Sequence, residues 1–309
     1  MWTENKLDAL LSQPSEALIE DIKALSGDII LLGAGGKVGP NLALMAKRAV
    51  QAAGVKKRVI AVSRFSDPIA RGLLENNGIE TISADLLEEG ALEKLPDAEN
   101  VVYLAGRKFG TGDSACLTWA MNAALPTLVS RRYKGARIVA FSTGNVYPFM
   151  PVASGGADES VAPSPIGEYA MSSLARERVF EYAAREYGSR VLLLRLNYAV
   201  DLRYGVLYDL AKRMLGGRPS PSSRAASTAS GRVTSTRSRC VHFCSPKVPP
   251  RCSISPARRP FPCATPASSS AKRWVLPPRS PAPKSRRRFS ATPLYASAIS
   301  AIPPFRFPS

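Results

Sequence analysis

Acidic residues are absent from the last third of this chain. Residues 218–309 contain 17 lysines and arginines but no aspartate or glutamate, whereas residues 1–217 contain 25 basic and 24 acidic residues. The net charge of +18 therefore belongs almost entirely to the C-terminal segment. A basic excess of this size favours nucleic-acid binding in general, but it says nothing about the first 217 residues. Only that first part has the composition of a globular domain.

Cysteines and long apolar runs are also scarce. Cys116 is the single cysteine of residues 1–217, which excludes a disulfide framework there and favours a reducing cytoplasm. We predict no metal site in this part. No run of about 18 apolar residues occurs, so we expect no membrane span. The N-terminus is acidic and amphipathic, without a basic-then-apolar leader, so we expect no export.

The C-terminal segment, residues 218–309, is rich in Ser, Pro, Arg and Ala and keeps no helical or alternating pattern, which predicts disorder. One interpretation is a basic tail that binds nucleic acid or acidic partners. A second is a zinc site around Cys240, His242 and Cys244, although their spacing matches no standard zinc pattern. A third is a GC-rich gene read out of frame. We favour the third, because chance does not explain the missing acids, and we regard nucleic acid as an unlikely partner.

Strands alternate with helices between residues 28 and 217. Apolar runs predict strands at 29–32, 58–63, 80–83, 101–105, 137–141 and 190–196. Helical patterns predict helices at 38–53, 115–133, 168–187 and 206–216. Continuous apolar strands between helices are typical of a parallel sheet covered on both faces. We therefore predict an α/β fold, a doubly wound parallel sheet in residues 28–217, with a helical extension in residues 1–27 that is broken at Pro14 and capped again at Ser15.

A glycine-rich turn follows the first predicted strand at once and opens a helix. Gly33 permits the tight turn, Gly36 lets a pyrophosphate approach the backbone, and Gly39 lets the helix pack closely on the strand. The helix N-terminus then offers N–H donors and a partial positive charge. The pattern predicts a dinucleotide site that also includes Lys37 and Val38. The alternative is a glycine-rich turn that binds no ligand.

The ends of the second and third strands bear on the choice of cofactor. An acid at the end of the second strand would bind the 2′-hydroxyl of NAD, but the chain reads Ser63-Arg64. A guanidinium there suits the 2′-phosphate of NADP, so we predict NAD(P) with a slight preference for NADP. Asp85, after the third strand, is placed to accept a hydrogen bond from the adenine amino group. A solvated Arg64 and a plain surface Asp85 are the alternatives.

Five segments, in the right order, resemble the NAD-dependent epimerase/dehydratase family of extended short-chain dehydrogenases/reductases. They are the Gly33–Gly39 turn, Asp85-Leu86, Leu104-Ala105-Gly106-Arg107-Lys108, the Phe141–Tyr147 segment and Tyr169. The resemblance implies a Rossmann-like fold over residues 28–210, in which Thr143 and Tyr169 are catalytic. It also implies cofactor contacts from Leu86, Ala105, Gly106, Lys108 and Asn122.

One residue departs from the family pattern. The family signature is Tyr-x-x-x-Lys, but here Ser173 stands four residues after Tyr169. A tyrosine hydroxyl has an ordinary pKa of about 10, so it acts as a base near neutral pH only beside cations. Ser173 can hydrogen-bond a ribose but carries no charge. We therefore expect cofactor binding to survive better than turnover.

Three functions remain open from the sequence. The first is an NAD(P)-dependent epimerase, dehydratase or reductase acting on a sugar nucleotide or a related hydroxy/keto substrate, in which Tyr169 moves the hydroxyl proton and Thr143 hydrogen-bonds the same oxygen. The second is a dinucleotide-binding protein without catalysis, for which Ser173 is the discriminating residue. The third is a nucleic-acid-binding protein that acts through its basic tail. The resemblance further implies a homodimer formed through the helices at 115–133 and 166–187.

Overall fold

The computed structural model describes most of the first 216 residues. The described residues are 3–108, 114–151, 154, 156–197 and 199–216, together with two short strands at 230–231 and 253–256. The predictions for residues 218–309, including disorder and the zinc site around Cys240, otherwise lie outside the described residues.

A parallel sheet forms the centre of the fold, as predicted. Its strands β1 to β6 are Ile29–Leu32, Val59–Ser63, Glu80–Ser83, Asn100–Tyr103, Arg137–Thr143 and Arg190–Leu196. The order is β3-β2-β1-β4-β5-β6, and Ser253–Pro256 (β9) adds a seventh parallel strand beside β6. Ala199–Val200 (β7) pairs separately with Ser230–Gly231 (β8). Because the strand order reverses between β1 and β4, a crevice opens between the loops that follow these two strands.

Eight α-helices are described, and they flank the sheet or extend it. From α1 to α8 they are Glu4–Leu11, Glu16–Ala24, Gly39–Ala52, Pro68–Asn76, Ala115–Trp119, Leu125–Arg132, Glu168–Glu186 and Val206–Leu215. Helices α2 to α4 cover the sheet face that includes Leu31 and Ala61. Helices α6 and α7 cover the opposite face, which includes Ile30 and Ile138. Neighbouring residues of one strand thus enter different cores, as the pleat of a strand requires.

The helix predicted over residues 115–133 is interrupted by a π-helical turn at Ala120–Ala124. The physical reason is Pro126, which has no N–H to donate to the carbonyl of Asn122 one turn earlier. That carbonyl instead accepts a hydrogen bond from Nε of Arg176 at 3.4 Å. A second difference concerns β5, which runs two residues further than predicted and ends at Thr143.

The N-terminal extension has the two helices that the sequence predicts. Ser15 caps α2 by accepting a hydrogen bond from the Leu18 N–H at 3.3 Å. Leu18, Ile22 and Leu25 of this segment are buried in the core that α3 shares with the sheet. Helix α1 is held by the ion pair between Asp8 and Arg203, at 2.8 Å. The extension is therefore an integral layer of this fold.

A buried ion pair attaches α7 to the sheet. The carboxylate of Glu177 on α7 accepts hydrogen bonds from Nε and Nη2 of Arg195 on β6, at 2.9 and 2.6 Å. The side chains are 0 % and 1 % exposed. Ser142 of β5 donates to the same carboxylate at 2.5 Å. Burial alone would lower the pKa of the Arg195 guanidinium, but hydrogen bonds and the Glu177 charge outweigh it and raise that pKa.

We predict that Glu177→Gln lowers the free energy of unfolding by about 3–5 kcal/mol, because Arg195 is then left buried without a counter-charge. Glu181→Gln is the matched control on the same helix. Glu181 pairs with Arg178, whose side chain is 53 % exposed, so its loss should cost no more than about 1 kcal/mol. Urea unfolding followed by circular dichroism measures both variants. Equal losses would show that the buried pair does not anchor α7.

Candidate functional site

The glycine turn after β1 has the geometry that the sequence predicts. Gly33 has a φ of +90°, and its N–H and that of Ala34 both donate to the Val62 carbonyl, at 2.8 and 3.0 Å. A Cβ on Gly33 would lie 2.5 Å from the backbone nitrogen of Ala105. A Cβ on Gly39 would lie 2.1 Å from the Ala34 oxygen. Both positions therefore exclude any side chain.

Gly36 differs from these two glycines because space is open around it. The nearest atom to a Cβ added there would be the Gly33 oxygen, at 3.7 Å. Val38, which precedes α3, provides no side-chain cap for the helix N-terminus, and Lys37 beside it is exposed. Uncapped N–H groups, an open backbone and a cation together fit the phosphates of a dinucleotide.

Arg64 and Asp85, predicted as separate contacts, lie next to each other. Their Nη1 and Oδ2 atoms are 3.6 Å apart, and the side chains are 69 % and 36 % exposed. One oxygen of Asp85 also accepts a hydrogen bond from the Leu87 N–H at 3.1 Å. The side chain of Leu86 is buried in the core, so it anchors the loop that follows β3. The ends of β2 and β3 thus present a loose, partly exposed ion pair.

The loop after β4 is held from beneath by Asn122. Its amide nitrogen donates to the Arg107 carbonyl and to Ser172, both at 3.0 Å. Its oxygen accepts from the Arg107 N–H at 2.8 Å and from Arg176 at 2.7 Å. All four hydrogen bonds of this side chain are thus made within the protein. Asn122, predicted as a cofactor contact, is therefore placed to position the loop.

The same loop contains the other predicted cofactor contacts. Ala105 is buried, whereas Lys108 is exposed and ends the described part of the loop. A Cβ on Gly106 would lie 2.6 Å from Nη2 of Arg176. Gly106 therefore packs its backbone directly against a buried guanidinium.

Thr143 and Tyr169 come from the end of β5 and the first turn of α7. Thr143 is 5 % exposed, and its Oγ1 accepts a hydrogen bond from the Asn145 N–H at 3.2 Å. The Thr143 hydroxyl proton is therefore not used in that hydrogen bond. The indole of Trp119 donates to Glu168 at 2.5 Å, which fixes the start of α7 beside Tyr169.

Ser173, for which the sequence suggested a hydrogen bond to a ribose, lies on the buried face of α7. Its side chain is completely buried, and its hydroxyl donates to the backbone carbonyl of Tyr169 at 2.7 Å. The hydroxyl is thus engaged within its own helix, one turn after Tyr169. The structure gives Ser173 a helix-internal role and no charge.

Three residues around the site escaped the sequence reasoning: Arg176, Glu177 and Arg195. The first two lie on α7 at the spacing of the buried face that also includes Ser173 and Phe180. Charged residues on an otherwise buried helix face are the signal that would have identified them.

No helix in the described ranges is long and apolar enough to cross a membrane. A comparison with curated protein sequences finds no match. The model of the NAD dependent epimerase/dehydratase family matches residues 29–200, which is more than half of the chain.

Solved structures share the fold at low sequence identity. UDP-glucuronic acid 4-epimerase from Bacillus cereus, in complex with UDP-glucuronic acid and NAD, is 18 % identical with a TM-score of 0.62, over 74 % of this chain and 77 % of that protein. The dTDP-glucose 4,6-dehydratase from Streptomyces venezuelae, with NAD bound, is 16 % identical with a TM-score of 0.62, over 74 % and 75 % of the two chains. UDP-glucose 4-epimerase from Thermotoga maritima is 19 % identical with a TM-score of 0.53, over 68 % and 71 %.

Two further structures of the Bacillus cereus epimerase also match, and this chain covers 64 % and 65 % of their length. At these identities the likeness shows the fold. The family follows from the model that matches residues 29–200. Because that match covers more than half of the chain and strands β1 to β6, the chain belongs to the NAD-dependent epimerase/dehydratase family.

Proposed function

We propose that this protein binds NAD(P) across the carboxyl edge of its sheet and acts on a sugar nucleotide or a related hydroxy/keto substrate. The observation that carries the proposal is the open backbone at Gly36 above the uncapped start of α3. Its neighbours Gly33 and Gly39 are closed to any side chain, so the space is confined to the position where phosphates would bind. The solved structure with UDP-glucuronic acid and NAD supports the substrate class, and both solved structures with NAD support the cofactor.

Two parts of the site would have different roles, one in binding the cofactor and the other in the reaction. The turn of Gly36, Lys37 and Val38 would hold the phosphates, and Arg64 and Asp85 lie where the adenosine end would bind. Bound nicotinamide supplies the hydride acceptor. The hydroxyl proton of Thr143 is available for a substrate oxygen, because its Oγ1 accepts from Asn145. Tyr169 would take the proton from that oxygen as general base.

The buried Ser173 supports a second function, a dinucleotide-binding protein without catalysis. Its hydroxyl bonds the Tyr169 carbonyl, so no cation lies at the family's lysine position to assist the tyrosine. The two functions share the cofactor site and differ only in turnover.

The homodimer and the location are also proposals. Leu117, Leu128, Met171 and Tyr182 expose between 38 % and 56 % of their surface on α5, α6 and α7. Apolar side chains on these helices support a dimer formed through them. The cytoplasmic location rests on the single cysteine among residues 1–217.

Gly36→Val should remove dinucleotide binding without harming the fold. Its side chain has room in the free protein but occupies the space of the pyrophosphate, so we expect NADH and NADPH to bind at least about 100-fold more weakly, a loss of roughly 2.7 kcal/mol. The matched control is Gly72→Val on α4, where an added Cβ meets nothing within 4 Å. Fluorescence titration measures the dissociation constants. Unchanged binding in Gly36→Val would refute this site.

Cofactor preference should depend on the pair of Arg64 and Asp85. We expect Arg64→Ala to weaken NADPH binding about five- to tenfold, because a charge-assisted contact to the 2′-phosphate is lost, and to leave NADH nearly unchanged. Asp85→Asn removes the carboxylate 3.6 Å from Arg64 and should strengthen NADPH binding. The same titrations test both. Tighter binding of NADH than of NADPH by the unmodified protein would contradict the preference.

Turnover separates the two functions. If the protein is an enzyme, conversion of UDP-glucose, UDP-glucuronic acid or dTDP-glucose, followed by NMR, should fall at least about 100-fold in Tyr169→Phe, which removes the general base. Cofactor affinity should stay within about twofold. If the unmodified protein binds cofactor but converts none of a wider panel of nucleotide sugars, the non-catalytic function is correct.

A further inference from the structure

Arg176 is a buried cation that no carboxylate neutralises in the part of the chain that the structure describes. The buried charged residues there are Arg176, Glu177 and Arg195. Glu177 and Arg195 form a bidentate ion pair and cancel each other's charge. The group of three therefore keeps a net charge of +1, which belongs to Arg176.

Each nitrogen of the Arg176 guanidinium donates a hydrogen bond to a neutral oxygen. Nη1 donates to the Phe141 carbonyl at 2.7 Å, Nη2 to the side-chain oxygen of Asn122 at 2.7 Å, and Nε to the Asn122 carbonyl at 3.4 Å. Its Cζ lies 5.6 Å from the centre of the Tyr103 ring. A buried cation held only by neutral dipoles costs desolvation energy that an ion pair would partly recover. Three neutral acceptors satisfy its hydrogen bonds but leave its charge in place.

The position of Arg176 in the fold indicates what its charge acts on. The phosphate turn follows β1, and the adenosine end lies towards β2 and β3, where Arg64 and Asp85 meet. A dinucleotide that crosses the reversal of strand order therefore places its nicotinamide end over the loops after β4 and β5. Arg176 contacts the loop after β4 and the end of strand β5, from which the second loop leaves. Its Nη2 packs under Gly106 after β4, and its Nη1 bonds Phe141, two residues before Thr143 on β5.

We propose that the fixed positive charge of Arg176 favours the reduced over the oxidised nicotinamide dinucleotide. The inference rests on the proposed cofactor site. The oxidised nicotinamide ring carries a positive charge and the reduced ring carries none, so a fixed cation at this end of the site would repel only the oxidised form. At an effective dielectric constant of about 20, a unit charge at a separation of roughly 10 Å changes an affinity by about tenfold.

A purely structural role makes a different prediction. Through Asn122, Arg176 also holds the backbone of Arg107, so its loss disturbs the loop. A disturbed loop weakens the binding of both cofactor forms alike. Only the charge changes the ratio of their dissociation constants, which also sets the midpoint potential of the bound cofactor.

The experiment measures the dissociation constants of NAD+ and NADH, and of NADP+ and NADPH, for the full chain and four variants. Arg176→Met removes the charge, and Arg176→Lys keeps it while losing hydrogen bonds. Asn122→Asp leaves Arg176 in place and adds a carboxylate where the amide oxygen accepts from it at 2.7 Å. It also removes the two hydrogen bonds that the amide nitrogen donates to Arg107 and Ser172, a loss that should weaken both cofactor forms alike. Arg178→Met, on the exposed side of the same helix, is the control.

Arg176→Met and Asn122→Asp should each lower the ratio of the oxidised to the reduced dissociation constant about tenfold, equivalent to about 30 mV for a two-electron couple. Arg176→Lys and Arg178→Met should keep the ratio within about twofold. An unchanged ratio in Asn122→Asp would overturn the inference even if Arg176→Met does not fold. If Arg176→Lys also lowers the ratio about tenfold, the inference is wrong, because the hydrogen bonds of Arg176 and not its charge would then set the ratio. If the unmodified protein binds neither form, the proposed cofactor site fails, and this inference fails with it.

Discussion

The arrangement of the site depends on the buried ion pair that the carboxylate of Glu177 forms with Arg195. The carboxylate is completely buried, and it receives hydrogen bonds from β5 through Ser142 and from β6 through Arg195. An ion pair without access to water has few alternative geometries, since any displacement leaves a buried charge unpaired. Helix α7 is therefore held in one register against the two strands, and this register also sets the position of Tyr169 in its first turn.

The two halves of the site are built on different physical principles. The half after β1 depends on excluded volume, because Gly33 and Gly39 bring backbones into contact and leave Gly36 as the one open glycine of the motif. The half around β4, β5 and α7 depends on buried polar groups, with Asn122 and Arg176 joining three elements. The half after β1 agrees with the glycine spacing of the family, and the departure at Ser173 falls in the half around β4, β5 and α7.

The strands, the main helices and the glycine turn were predictable from the sequence because each depends on neighbouring residues. The apolar run Ile29–Leu32 and the cap at Ser15 are local signals, and the structure agrees with both. The interruption of the helix at Ala120–Ala124 was missed, although Pro126 is a local signal of lost hydrogen bonding. The extra length of β5 was missed because Ser142 and Thr143 have no apolar side chains, and their strand conformation comes from pairing with β6.

The sequence by itself determined the parallel sheet, the order of its motifs and the position of the phosphate turn, since these follow from periodicity and from glycine spacing. Only the tertiary structure decided which polar groups meet. Asn122 and Arg176 are 54 positions apart and share a hydrogen bond, and Arg64 and Asp85 form a pair although each was predicted to bind a different part of the cofactor. Such contacts join separate elements, so no local pattern encodes them. The buried charge of Arg176 depends on the packing of α7 against the sheet, which exists only in the folded chain.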